Sequence, residues 1–315
     1  MTKRVLISGS VAFDTIMVFD GFFKDHILPD RVHMLNVSFL TPRLKREFGG
    51  CAANIAYNLS QLGGQPAILA AVGHDGADYV QRLAQLGVDT RAIARFDDQF
   101  TAQAFITTDL ADNQITAFHP GAMGAAHHVG VAGSQPAAWG IVAPNGKQAM
   151  LRHAAEFAEQ RIPFLFDPGQ GLPMFGGDEL RELISRATGV AVNDYECGLL
   201  TEKTGWSERK IAETVQALIV TRGAEGSVLH ESGRTHAIPA APIARAVDPT
   251  GCGDAYRAGL LYGLAEGHGW LQSARLGSVL GAIKIEHQGP QNHAIDRDDV
   301  ARRFREAYGT TLGPG

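Results

Sequence analysis

Apolar and polar positions follow two rhythms along this chain. Residues 4–20, RVLISGSVAFDTIMVFD, open as a β-branched apolar run that meets small residues at Gly9 and Ser10. That is the pattern of a buried strand running into a glycine turn. Residues 49–64, GGCAANIAYNLSQLGG, change period: Ile55, Leu59 and Leu62 recur at helical spacing and the run stops at Gly63-Gly64. PAILAAVG (66–73) is a short apolar strand and ADYVQRLAQLG (77–87) a helix with a glycine stop. The alternation continues through WGIVAPN, KQAMLRHAAEFAEQR, IPFLFDPG, DELRELISRA, GVAVN, DYECGLLTEKTG, QALIVTRG and AYRAGLLYGLAEG. Strands alternating with helices predict an α/β fold, a doubly wound and mostly parallel sheet with helices on both faces.

Two stretches break this rhythm. Residues 15–47 carry strand character in TIMVFDGF and VHMLNVSFL without a helix period. Residues 99–119 read as a hairpin whose turn signal is DLADN. Together they predict a small β-sheet, formed by 15–47 and 99–119, beside a large α/β domain of 1–14, 48–98 and 120–315. Such a sheet could close over a shared cleft as a lid and exclude water. The alternative is two edge hairpins without function. The adjacent His127 and His128 cannot share one helix face as ligands and read as polar residues at a helix start.

Composition narrows the class. At 315 residues and 45% hydrophobic content the chain can bury a large core. A formal net charge of −5 gives a nucleic-acid partner no electrostatic support. The densest basic patch, Arg43-Leu44-Lys45-Arg46, reads as a solvated edge. Three cysteines, Cys51, Cys197 and Cys252, form no CxxC pair and no metal-ligand spacing, and so sparse a set fits a reducing compartment. The apolar run of the N-terminus is too short for a signal peptide and no stretch is long enough for a membrane span. The expectation is a soluble cytoplasmic protein with no membrane partner.

The chemistry concentrates in residues 247–259, VDPTGCGDAYRAG. A helix N-terminus carries unpaired N–H groups and partial positive charge, and glycines before it let an anion approach closely. Asp254 follows the last glycine at once. One reading is a phosphate cradle with a base beside it; the other is an N-cap aspartate after a turn. No GxxxxGK[ST] is present and the first strand is not followed by GxGxxG, so neither a P-loop nor a dinucleotide fingerprint explains the glycines.

DPTGCGDAYRAG resembles the second signature of the ribokinase-like (pfkB) sugar and nucleoside kinases. GGCAANIAYNLSQLGG resembles the first. VNDYE (192–196) looks like the family's N-x-x-E motif, VTRGAEGS (220–227) like its T-x-G-x-x-G nucleotide loop, and Asp14 like an acid near the end of the first strand. The motifs stand in the family's order over residues 9–259. NQITAFHPGAM (113–123), FDPGQGLP (166–173) and GPQNH (289–293) are similar to segments of its bacterial adenosine and nucleoside kinase branch.

This resemblance implies an ATP-dependent kinase. Asp254 would be the general base toward a ribose 5'-hydroxyl, and the amides of Gly251, Cys252 and Gly253 would hold the transferred phosphoryl group. Asp14 would accept hydrogen bonds from the ribose 2'- and 3'-hydroxyls, Gly49 and Gly50 would let the ribose lie against the backbone, and Asn54 would add an amide. Asn54 on a solvent-facing helix side is the bland alternative. Phe118 would stack on the base or fill the hairpin core, and Gln170 is a candidate for hydrogen bonding to base or ribose. Ala104 stands where a second aromatic can lie, which implies a roomier base pocket. Asn193, Thr221, Gly223 and Gly226 would line ATP. Glu196, with Asn193, would organise Mg2+ through water, or form a helix capping box, or both.

Asp248 is a candidate holder of a monovalent cation such as K+ beside the loop, as in several family members. Arg257 is open between a phosphate contact and a surface charge. Cys252 stands where the family usually has alanine; exposed at a helix start, its thiol is expected to be acidic and reactive. Three functions remain in play: a nucleoside kinase, purine nucleosides foremost; a kinase of a free sugar or sugar phosphate; and a nucleoside-binding sensor without catalysis. The open edges of the small sheet suit a homodimer.

Overall fold

The computed structural model describes residues 3–27, 37–111, 113–134 and 136–313. In chain order, β1 (Arg4–Ser8), β2 (Ala12–Val18) and β3 (Arg43–Gly49) lead into α1 (Cys51–Gln61). Then come β4 (Gln65–Gly73), α2 (Ala77–Gln85), β5 (Ile93–Phe96), β6 (Ala102–Thr108) and β7 (Gln114–His119). β8 (Trp139–Val142), α3 (Lys147–Glu159), β9 (Phe164–Phe166), α4 (Gly177–Arg186), β10 (Gly189–Asn193) and α5 (Asp194–Thr204) follow. The chain closes with α6 (Glu208–Thr214), β11 (Ala217–Thr221), β12 (Ser227–Glu231), β13 (Arg234–Ile238), α7 (Cys252–Ala265), α8 (Trp270–Ile285) and α9 (Arg297–Tyr308).

The strands make two sheets. The large one has nine, in the order β13-β12-β11-β10-β9-β8-β1-β4-β5. β11 through β5 run parallel along that order, while β12 and β13 are antiparallel additions. Alternate residues of the parallel strands feed two cores. Ile7, Ile68, Ile141 and Ile219 face α1, α7 and α8, and Leu6, Leu69, Val142 and Leu218 face α3, α4 and α6. Burial on both faces explains why these strands read as unbroken apolar runs. The expected doubly wound sheet is therefore present.

The second sheet has four strands, β3-β2-β6-β7. β6 and β7 form the expected hairpin, and Asp109 organises its turn by accepting from the Ala111 and Asn113 amides at 2.9 Å each. Three details differ from the sequence reading. β1 ends at Ser8, at the expected glycine turn, but after Gly9–Val11 the chain enters the small sheet at Ala12 and not at residue 15. Asp14 thus lies in the small sheet and not at the end of the first strand. Strand character expected over residues 32–40 falls partly on 32–36, outside the described residues, while 37–42 form no strand and β3 begins at Arg43. His127 and His128 end the 3-10 helix Gly121–His128 and do not start it. Arg43 to Arg46 are exposed on the edge strand, as expected.

β1 connects to β4 on one side in the sheet, and β8 lies on its other side. A ligand crevice in an open α/β sheet forms at such a reversal, outside the carboxyl ends of the strands. Asn193 and Thr221 end β10 and β11, and Gln170 follows β9, at those ends, while Asp14, Gly49 and Phe118 lie in the small sheet.

Candidate active site

The loop into α7 is shaped by Asp248. One carboxylate oxygen accepts from the Thr250 amide (2.8 Å); the other accepts from the Gly289 amide (2.7 Å) and Gln288 Nε2 (3.1 Å). These bonds hold the Asp248 pKa below its ordinary value despite burial. Gly251 is the N-cap, at φ +79°, and a Cβ there would stand 2.8 Å from the Pro290 Cβ. A side chain at this position meets both backbone strain and a neighbour. Asp254 is therefore not the N-cap; it is the third residue of α7. The Cys252 amide donates back to the Pro249 carbonyl at 3.1 Å.

Asp254 is partly exposed, yet its surroundings withdraw it from water. Asn54 Nδ2 donates to its Oδ2 at 2.8 Å. Burial foremost pushes its pKa up to about 7; Asn54 and Arg257 pull down, while Asp167 and Asp14 push up. Asn54 is only 5% exposed, so the solvent-facing alternative fails. Its orientation is set from behind: Gln291 Nε2 donates to Asn54 Oδ1 (2.9 Å) and to Tyr79 Oη (2.6 Å), Arg82 donates to Gln291 Oε1 (2.6 Å), and Tyr79 donates to the Gly49 carbonyl (2.7 Å). With Oδ1 committed to Gln291, the Asn54 amide nitrogen must face Asp254.

Arg257, one helical turn on, is neither a surface charge nor free for a ligand. It is 4% exposed and its guanidinium grips Asp167 at 3.1 and 3.2 Å and the Ala191 carbonyl at 3.1 Å. Cys252 also departs from expectation. Its thiol lies 3.8 Å from the Asp248 carbonyl, and burial raises its pKa to about 11, overriding the helix start.

Across the cleft, strand register sets one row on one face of the small sheet. Asp14 pairs with Glu47 on β3 and with Ala104 on β6, and Ala104 pairs with Phe118 on β7. Directly paired residues share a face. Phe118 is 51% exposed, which rules out the hairpin-core reading. Burial, then Glu47, lift Asp14 to about 6. Gly49 and Gly50 give room first to this chain itself. A Cβ on Gly49 would stand 2.5 Å from Asp14 Oδ2, and one on Gly50 (φ +90°) would stand 2.6 Å from both Ser10 O and Ala12 N.

On the opposite flank, Asn193 ends β10 beside Thr221 at the end of β11. Asn193 and Glu196 form the capping box: Asn193 Oδ1 accepts from the Glu196 amide (2.7 Å) and Glu196 Oε2 accepts from the Asn193 amide (2.8 Å). Burial and Asp167 raise the Glu196 pKa, with Arg257 at 4.0 Å opposing. Gly223 opens a 3-10 turn closed by Arg222 N–H donating to the Gly226 carbonyl at 2.8 Å. Ser227 and Tyr256, 2.9 Å apart, tie that loop to α7. Gln170 is exposed just past β9, three residues beyond Asp167. Among the described residues no cluster of three or more His, Cys, Asp or Glu could hold a metal ion, and no helix is long and apolar enough to cross a membrane.

The pfkB family carbohydrate kinase pattern matches residues 14–297, nearly the whole chain. The chain belongs to the pfkB family of carbohydrate kinases. As a pfkB kinase it is a phosphotransferase acting on a hydroxyl group. A nucleoside kinase of Methanocaldococcus jannaschii is 30% identical over 274 residues, 86% of this chain and 90% of that one. The structure of Burkholderia thailandensis nucleoside kinase in complex with inosine superposes with a TM-score of 0.89 at 48% identity, covering 98% of this chain and 99% of that one. The same enzyme in complex with ADP-inosine gives 0.86 at 50% identity, covering 98% and 97%.

Within this pfkB fold, Asp167, Arg257, Gln291, Tyr79 and Lys284 are the site-adjacent residues that the sequence reading left without a role. FDPGQGLP and GPQNH contain two of them, so the signal was present as motif without chemistry.

Proposed function

We propose that this chain transfers the γ-phosphoryl group of ATP to the 5'-hydroxyl of a nucleoside, purine nucleosides first. The observation that carries the reading is the pair of carboxylates on one cleft: Asp254, oriented by Asn54 at the start of α7, and Asp14 in the row that ends at Phe118. The two are near enough for the Asp14 charge to act on Asp254. Asp14 accepts hydrogen bonds from the vicinal ribose hydroxyls, two strands from Phe118, which stacks on the base. Ala104 between them leaves room for different bases. The likeness to an enzyme solved with inosine supports a nucleoside over a free sugar.

In the proposed reaction Asp254 removes the 5'-hydroxyl proton as the oxygen attacks the γ-phosphorus and ADP departs. A base whose pKa is about 7 is matched to neutral pH. The amides of Gly251 and Gly253 stabilise charge on the transferred oxygens without reorganising; that of Cys252 turns to them only by leaving Pro249. Thr221, Gly223 and Gly226 border the ATP, and Gln170 stands at the mouth. Mg2+, when bound, neutralises triphosphate charge. Glu196 fits it through water, because Mg2+ keeps its waters and takes few carboxylates, and because a cation would offset the burial and the Asp167 charge that raise Glu196. β7 is exposed along its length and offers an edge to a second copy.

The test is a panel of inosine, adenosine, guanosine, cytidine and ribose with ATP and Mg2+. Purine nucleosides are expected to react fastest; a ribose rate above every nucleoside rate makes the chain a sugar kinase. Asp254→Asn is expected to bind nucleoside while turnover falls about 10²–10⁴-fold. Binding without turnover in the unaltered protein leaves only a sensor. The nucleoside kcat/KM is expected to rise with pH through about 7 and to fall more steeply below about 6, where Asp14 also takes a proton.

A further inference from the structure

Lys284 lies in the apolar stretch GSVLGAIKI of α8 and is completely buried. A lysine at zero exposure needs a reason, since a buried charge is costly without compensation. Its ammonium donates to two backbone carbonyls, Asp248 O at 2.7 Å and His287 O at 3.0 Å. Converging carbonyl oxygens are the donor set that replaces the water shell of K+. The Asp248 carboxylate, the group the sequence offered to a monovalent cation, is occupied by the Thr250 and Gly289 amides and Gln288. A second cation against the Asp248 carbonyl would meet the ammonium charge at contact distance, so the residues present do not fit a bound K+ there.

We propose that the Lys284 ammonium is a built-in cation that replaces K+ behind the phosphate loop. Tethered through α8, it holds the Asp248 carbonyl and the 287–289 turn, and with them the loop that delivers Gly251 and Gly253. Its charge reaches the loop, since it acts on the Cys252 thiol. Lys284 is a positioning residue: it touches the loop backbone and no reacting atom. The consequence is a kinase indifferent to monovalent cations.

The inference rests on the kinase reading, and its test separates the two. The unaltered protein is assayed in KCl against choline chloride at constant ionic strength and Mg2+. Its kcat/KM for ATP is expected to change less than about twofold. Lys284→Ala is expected to lose about 10²-fold in choline and to regain at least about tenfold with K+ or NH4+; Lys284→Met keeps the stem without the charge and should behave alike. In parallel, without substrates, K+ is expected to raise the melting temperature of the variants over choline and not that of the unaltered protein. Saturable severalfold activation of the unaltered protein by K+ overturns the proposal, as do folded variants indifferent to K+ and NH4+ in both assays. If the variants fail to fold, the potassium titration of the unaltered protein decides alone. Absence of nucleoside phosphorylation in every salt sinks the kinase reading, while the melting arm still reads the cation.

Discussion

Burial sets the raised proton affinity of Asp254, and two fixed charges of opposite sign tune it further and can be removed one at a time. Asp167 raises its pKa and Arg257 lowers it. In Asp167→Asn the lone guanidinium stabilises ionised Asp254, so the acid limb of the nucleoside kcat/KM profile is expected below its unaltered position near 7. In Arg257→Met the lone Asp167 carboxylate acts the other way and the limb moves up. Each variant breaks a buried pair at a cost of about 3–5 kcal/mol, so both are measured below their melting range. Limbs that coincide would remove the pair from the tuning of the base. Cys252 gives a second expectation. With its thiol held at about 11, alkylation at neutral pH should be slow and Cys252→Ala should keep full activity; rapid, ATP-protected inactivation would falsify this. Residues inside short motifs, Asp254 and the Asn193–Glu196 box, were legible in the sequence. The partners that tune them were not, because burial and pairing arise from distant segments: Asp167 lies 90 positions from Arg257, Asn54 lies 200 from Asp254, and Gln291 lies 237 from Asn54.

Among the elements, apolar period alone yielded most of the alternating strands and helices up to α7, because parallel strands buried on both faces leave an unmistakable run; α8 and α9 were not read from it. It also set the hairpin apart, whose strands alternate. Period could not show where the chain passes from the large sheet to the small one. Ser8 to Ala12 stays small throughout, with no period of its own, and the break is decided by tertiary bonds: Ser10 N–H donates to the Pro144 carbonyl at 2.9 Å, and Ser10 O accepts from the Ala52 amide at 3.0 Å. Gly50 is the lock of this junction, since any Cβ would collide with Ser10 O and Ala12 N, both backbone atoms. Gly50→Ala is expected to destabilise the fold by at least about 2 kcal/mol, from the strained φ and the forced shift of β2 against α1. The shift would also carry Asp14 off its row, so KM for nucleoside should rise in the surviving folded protein. Denaturant unfolding and KM together check this; a variant of ordinary stability and unchanged KM would show that the junction can relax.

For the molecule as a whole, Asp254 and Asp14 make a stability cost of the site. Their folded pKa values, about 7 and about 6, lie above the ordinary 3.8 expected of the unfolded chain. Between about pH 4 and 7 the native state therefore binds more protons than the unfolded state, and the linkage relation makes stability fall as pH rises through that window. Below it both states are protonated and no cost remains; above it the full cost is present. Asp254→Asn removes the Asp254 share while retaining a group that can accept from Asn54 Nδ2. The variant is thus expected to melt a few degrees above the unaltered protein at pH 8 and by a clearly smaller margin at pH 4.5. Comparing the two proteins at each pH cancels the other titrating groups, including Asp248, whose depressed pKa works in the opposite direction. A difference that does not depend on pH would mean that the substitution acts through packing and not through charge. A variant less stable at pH 8 would mean that ionised Asp254 is held favourably in the fold, and it could not then be the strained base of the proposed reaction.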